Sequence, residues 1–139
     1  MSVKLSILIP AYNEARTIHL ILDKVKDVVL ANNIIKEIII VDDFSSDNTI
    51  VKIKEYQSEN PAINISLFTQ EKNKGKGAAI HKAISEATGD YLIVQDADLE
   101  YDPEEYNLLL KPVLNGFADV VYGSRFIGGN PHRILFFWH

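Results

Sequence analysis

Short apolar runs alternate with stretches of helical periodicity from one end of the chain to the other. Runs rich in Ile and Val fill residues 4–9, 37–41, 63–68, 91–94 and 119–122, with the length and composition of strands covered on both faces. After the first run, Ile18, Ile21, Leu22, Val25 and Val29 recur at helical spacing and predict an amphipathic helix with Asn13 as its N-cap. Further helices are predicted over 49–56, 76–87 and 103–113. The last opens on Asp102-Pro103-Glu104-Glu105, a capping residue followed by Pro in the first turn and then by carboxylates. Pro112 is expected to kink or stop it before Asn115-Gly116. Residues 130–139 read as the start of an amphipathic or wholly apolar helix. A terminus ending on Phe136, Phe137 and Trp138 leaves large apolar side chains without cover, so the chain is expected to stop before its protein is complete.

Strand and helix in alternation imply an α/β fold: a mostly parallel sheet with right-handed crossovers, helices on both faces and one domain over residues 1–139. Ligands of such sheets bind beyond the carboxyl ends of the strands, at a topological switch point. The segments just past the strands are 10–14, Asp42-Asp43, 95–98 and Gly123-Ser124-Arg125, and carboxylates predominate among them.

Composition narrows the choice of partner. The chain is 47% hydrophobic and 24% charged, ordinary usage for a globular protein, and carries a net charge of -5. An acidic surface has no general attraction for nucleic acid, which is set aside as a partner. Handling of phosphates would then need a local device such as a divalent cation, a placed Lys or Arg, or a helix N-terminus. Without cysteine there are neither disulfides nor thiolate metal sites. The apolar run ending at Pro10 is too short to span a membrane and reads as a buried strand.

Four constellations could carry chemistry. Asp96-Ala97-Asp98, with Glu100 and Asp102 close behind, follows a buried strand; it is either a solvated loop or a site for a hard divalent cation. Asp42-Asp43 precedes Phe44 and the run Ser45-Ser46-Asp47-Asn48-Thr49, which a turn and helix cap explain; the adjacent acids either belong to that turn or include one that accepts from a base N–H or a ribose hydroxyl. Asn73-Lys74-Gly75-Lys76-Gly77 is either a flexible turn or a loop facing sugar or phosphate, and it lacks the residues of a nucleoside-triphosphatase P-loop. Arg125 is the guanidinium best placed for a pyrophosphate, although an isolated arginine is commonly a solvated surface residue. Tyr12 either stacks on a nucleobase or packs, and His19, His81, His132 and His139 lack metal-ligand spacing. A phospho-receiver domain would need an Asp ending the third strand and a Lys ending the fifth, which Phe68-Thr69-Gln70 and Gly123-Ser124-Arg125 do not supply.

In this order, Ile9-Pro10-Ala11-Tyr12-Asn13-Glu14, the 41–49 segment, Asn73-Lys74-Gly75-Lys76-Gly77, Asp96-Ala97-Asp98-Leu99-Glu100 and Tyr122-Gly123-Ser124-Arg125 resemble family 2 glycosyltransferases of the Rossmann-like GT-A fold. The likeness is to the branch of dolichyl-phosphate and polyprenyl-phosphate sugar synthases, and it covers essentially the whole chain. It implies transfer of a hexose, with inversion, from a UDP- or GDP-linked sugar to a polyprenyl phosphate, with Mg2+ or Mn2+ as cofactor. By the same resemblance Pro10, Tyr12, Glu14, Asp42, Asp43, Lys76, Asp96 and Ala97 would bind the donor, Asp98 and Glu100 the metal, and Asp98 and Arg125 would be catalytic. It further implies a role in cell-wall or glycan biosynthesis, and a cytoplasmic location or peripheral attachment to the cytoplasmic membrane face. Two positions depart from the pattern: Glu100 stands where the synthases often carry Gln, and Phe44 where Gly is usual. Two rival expectations are a non-catalytic nucleotide-sugar-binding domain and a transferase acting on a saccharide hydroxyl.

Overall fold

The computed structural model describes residues 2–116, together with the backbone of 120–123 and 133–137. Its strands are β1 (Lys4–Ala11), β2 (Ile35–Asp42), β3 (Ile65–Thr69), β4 (Tyr91–Val94), β5 (Val120–Gly123) and β6 (Arg133–Phe137). The helices are α1 (Ile18–Asp27), α2 (Thr49–Glu59), α3 (Lys76–Glu86) and α4 (Tyr106–Leu114). The six strands form one sheet in the order β3-β2-β1-β4-β6-β5. β1, β2, β3 and β4 are parallel, whereas β6 runs antiparallel to both its neighbours, so that β5 points the same way as β4.

Alternate side chains of β1 and β2 fill two cores, which is why their sequences are nearly continuous in apolar residues. Leu5, Ile7, Ile9, Ile38 and Ile40 pack against α1, α2 and α4 through Ile18, Ile21, Leu22, Ile53, Tyr106 and Leu110. On the opposite face Leu8, Ile39 and Val41 meet Ala79 and Ala83 of α3. Helices thus cover both faces of a mostly parallel sheet. Each fully buried Ile or Leu contributes about 1.5–3 kcal/mol relative to an exposed one.

At the base of the sheet the same face carries a polar clamp. Glu37, buried in β2, accepts hydrogen bonds from the Ser6 hydroxyl at 2.5 Å, the Thr88 N–H at 3.0 Å and the Thr88 hydroxyl at 2.7 Å. Gly89 donates to Ser6 Oγ at 2.9 Å, and a Cβ at Gly89 would lie 2.5 Å from that oxygen. This close approach sets where the chain enters β4, and hence where the acids after β4 emerge.

Several expectations need correction. Thr17, not Asn13, takes the N-cap position of α1. Asn13 adopts φ 53° and turns its side-chain oxygen to the Ser46 N–H at 2.8 Å, bracing the segment ahead of α2 instead. Helix α1 ends at Asp27, where Lys36 Nζ donates to the carbonyls of Val25, Lys26 and Val28; Val29 is therefore beyond the helix and 83% exposed. Asp102 caps as expected, accepting from the Glu104 N–H at 3.0 Å, but it leads into a 3-10 turn before α4 begins. Pro112 sits inside the last turn of α4, which ends just before Asn115-Gly116. The segment expected to open a C-terminal helix is instead β6, paired with β4 and β5; a short apolar run fits either form, and the open edge of β4 supplies the partner. Arg125, His132, Trp138 and His139 lie outside the described residues.

Candidate active site

The sheet's strand order reverses between β1 and β4, and there a cleft of about 470 Å³ opens beyond the carboxyl ends of the strands. That volume suits a small-molecule ligand. Four segments line it. The end of β1 and the segment after it contribute Pro10, Tyr12 and Glu14; the residue after β2 is Asp43; the start of α3 contributes Lys76; and the loop after β4 contributes Asp96, Ala97, Asp98 and Glu100.

The β2 end is held by its own acids. Asp42 is fully buried and accepts from the Ser45 N–H at 2.9 Å and the Ser45 hydroxyl at 2.5 Å, closing the turn over Phe44. Both contacts point its carboxylate into the turn, and Asp42 does not line the cleft. Asp43, also buried, accepts from the Lys74 N–H at 2.8 Å and the Gly75 N–H at 2.9 Å. It thereby ties the glycine loop to the sheet. Gly75 takes φ 93°, a conformation that suits glycine, and α3 starts at the next residue.

The acids after β4 are held differently. Gln95 is fully buried: its side-chain amide donates to the carbonyls of Asp96 and Tyr101, and its oxygen accepts the Tyr106 hydroxyl at 2.7 Å. The Thr17 hydroxyl lies 2.9 Å from the Ala97 carbonyl and 3.0 Å from a Glu14 carboxylate oxygen, so it joins the β1 end to this loop. On that frame Asp96, Asp98 and Glu100 each present a carboxylate oxygen, all within 4.8 Å of one another. Such a set of hard oxygen donors fits Mg2+ or Mn2+. Lys76 Nζ pairs with Asp96 Oδ1 at 2.5 Å. Burial opposes the charge on Lys76, but the hydrogen bond and charge of Asp96, reinforced by Tyr101 and Asp98, raise its pKa above the usual lysine value.

A sequence model of the family described as glycosyl transferase family 2 matches residues 6–133. The chain belongs to that family. Among this family 2 chain's relatives, the dolichol-phosphate mannosyltransferase of Pyrococcus furiosus is 34% identical over 127 residues, covering 91% of this chain and 34% of the relative. The undecaprenyl-phosphate 4-deoxy-4-formamido-L-arabinose transferase of Photorhabdus laumondii is 35% identical over 122 residues, covering 88% and 37%. The chain is similar to both, and their names carry dolichol phosphate in one case and undecaprenyl phosphate in the other. It spans little more than a third of the length of either. The mannosyltransferase PcManGT from Pyrobaculum calidifontis, solved with GDP-Man and Mn2+, superposes with a TM-score of 0.76 at 24% identity over 89% of this chain and 36% of the other. At that identity the likeness shows the fold, which is GT-A.

Of the positions singled out in the sequence, the structure gathers nine around one cleft, leaves Asp42 behind it, and does not describe Arg125. Sequence reasoning placed Asn73, which also lines the cleft, in the glycine-loop motif without a role of its own, and assigned none to Thr17, Gln95 and Tyr106, which brace the cleft. Gln95 carried a readable signal: a polar residue continuing a buried strand needs partners near by. Tyr106 looks like an ordinary core position on a helix, and nothing local marks its hydroxyl.

Proposed function

We propose that residues 1–139 form the donor-binding domain of a metal-dependent, inverting glycosyltransferase that moves a hexose from a nucleoside-diphosphate sugar to a polyprenyl phosphate. The observation that carries this reading is the convergence of Asp96, Asp98 and Glu100 in the cleft at the switch point, across from the start of α3. Its two named relatives use polyprenyl-type phosphates, and the superposed PcManGT was solved with GDP-Man and Mn2+.

In this reading Tyr12, 47% exposed, offers its ring to the nucleobase, while Pro10 and Glu14 flank the nucleoside. Asp43 fixes the glycine loop and edges the base pocket. Asp98 and Glu100, with Asp96 as the third carboxylate, would hold the divalent cation, which would supply Lewis-acid stabilisation of the departing diphosphate. Lys76 and, by the family pattern, Arg125 answer the phosphate charge. An acceptor phosphate oxygen attacks the anomeric carbon from the opposite face as the bond to the nucleoside diphosphate breaks. That oxygen is already anionic, so no protein base is required. Among the described residues no helix is long and apolar enough to cross a membrane, and we place the domain at the cytoplasmic membrane surface, where a lipid phosphate is presented.

Calorimetric titration with UDP- and GDP-sugars, with and without Mn2+ or Mg2+, tests this. Metal-dependent binding should appear for one base and vanish in Asp98→Ala. A folded chain that binds no nucleotide under any of these conditions would overturn the donor-site reading.

A further inference from the structure

Three of the described ion pairs, Lys26–Asp23, Lys52–Glu55 and Lys82–Glu86, join neighbours on one helix. Lys76–Asp96 is different: it bridges two elements and ends on the acidic cluster itself. Its geometry is imposed from both sides. Asp43 holds the Lys74 and Gly75 N–H groups, which sets the start of α3, and Gln95 holds the Asp96 carbonyl, which sets the acid loop. Asp96 is only 15% exposed at its side chain, whereas that of Lys76 is 59% exposed and has room to swing.

Three carboxylates with oxygens within 4.8 Å repel one another unless a cation lies among them. The Lys76 ammonium meets that need at Asp96. A divalent cation on the same carboxylates would repel it, and the nearest new source of negative charge would be the diphosphate that arrives with the cation.

We propose that Lys76 is a built-in counter-ion that neutralises the acidic cluster in the cation-free protein and passes from Asp96 to the donor diphosphate when a divalent cation takes the carboxylates. The inference rests on the donor-site reading above. It makes Lys76 an opponent of metal binding alone and a partner in metal-plus-nucleotide binding. It also couples the two ligands: nucleotide relieves the competition between lysine and metal, so each ligand strengthens the other.

The test uses Lys76→Gln, Lys76→Arg and Asp98→Ala, each checked for folding by circular dichroism. Mn2+ binding is measured by electron paramagnetic resonance without nucleotide, and UDP or GDP binding by calorimetry at saturating Mn2+. For Lys76→Gln we expect Mn2+ alone to bind about fivefold tighter, the loss of a competing pair worth about 1 kcal/mol. Nucleotide should bind that variant about tenfold more weakly, since a charge-assisted hydrogen bond is lost. Lys76→Arg should return both values towards wild type, which a merely structural role would not require. Unchanged or weaker Mn2+ binding by Lys76→Gln overturns the counter-ion role; if Asp98→Ala still abolishes Mn2+ binding, the donor-site reading survives that failure. Undiminished nucleotide binding by Lys76→Gln overturns the transfer to the diphosphate. If folded wild type and Lys76→Gln both bind no Mn2+, the cation site fails and the proposal fails with it.

Discussion

Two strands of this sheet end in clustered acids, a pair after β2 and a trio after β4, and the two groups are handled in opposite ways. After β2, Asp42 and Asp43 are buried and their carboxylates are met by protein donors: Ser45 for the first, the Lys74 and Gly75 N–H groups for the second. After β4, Asp96, Asp98 and Glu100 crowd together at the cleft, with Lys76 on Asp96 and the Glu100 N–H on Asp98 at 3.1 Å. The difference teaches that an acidic strand end is not one signal but two. Acids satisfied by backbone donors build the loop; acids that face one another leave charge to be answered by a ligand.

Removing one acid from each group should separate the two cases most widely. Asp43→Ala strips two partly buried N–H groups of their charged acceptor and should cost about 2 kcal/mol of stability. Asp98→Ala removes a mutually repelling carboxylate and should change stability by no more than about 0.5 kcal/mol while abolishing Mn2+ binding. Urea denaturation read alongside Mn2+ titration checks both. Equal losses of stability would break the distinction.

A subtler variant addresses what holds the second group in place. Tyr106→Phe removes the 2.7 Å hydrogen bond to the buried Gln95 oxygen, and should cost about 1–2 kcal/mol. Because Gln95 also holds the Asp96 and Tyr101 carbonyls, Mn2+ affinity should fall as well, although Tyr106 lines no part of the cleft. Loss of stability with unaltered Mn2+ affinity would show that the acid loop is positioned by something else.

Clamped acids should also reveal themselves in acid. Burial alone would raise the pKa of Glu37, but the hydrogen bonds from Ser6 and Thr88 and the charge of Lys4 outweigh it and hold the carboxyl below its ordinary value. A depressed folded pKa means stability that is fully present above the unfolded value, about 4.3, and lost as pH falls through the folded one. Glu37→Gln should therefore cost about 1 kcal/mol at neutral pH and flatten the dependence of stability on pH below about 4.3. A variant that keeps the wild-type slope would place the acid sensitivity elsewhere.

These contrasts also mark how far the sequence could be read. The runs that become β1, β2 and β4, the apolar stripe of α1 as far as Val25, and the Asp102 cap rest on local pattern, and local pattern sufficed; Val29 fell beyond the helix because α1 ends at Asp27. The acids of 96–100 were legible as a cluster because they are adjacent in the chain. The role of Asp43 was not, since its partners at Lys74 and Gly75 are about thirty residues away in sequence and are backbone groups, which carry no residue identity. The Lys76–Asp96 pair was hidden for the same reason of distance. Asn13 looked like a cap because its residue type favours caps; its left-handed backbone turns it to Ser46 instead. The run inside 133–137 lacked any period that distinguishes strand from helix, and its form depends on the open edge of β4.

The smallest effect bears on how firmly the first pair grips its turn. Phe44 has φ 63° and is 59% exposed, so its ring gains little from burial while its backbone sits in a region that costs an L-residue about 1–2 kcal/mol. The turn is over-determined: Asp42 holds Ser45 on one side of it, and Asp43 is fixed to the glycine loop on the other. Phe44→Gly removes the steric cost but adds about 0.5–1 kcal/mol of chain entropy to the unfolded state. The net expectation is a gain of about 0.5 kcal/mol, visible as a small rise in the thermal midpoint. If the Asp42 clamp is what imposes the left-handed turn, that gain should disappear in an Asp42→Asn background, where the turn can relax and Phe44 no longer carries the strain. A gain that persists unchanged there would mean that Asp43 and the glycine loop hold the turn without help from Asp42.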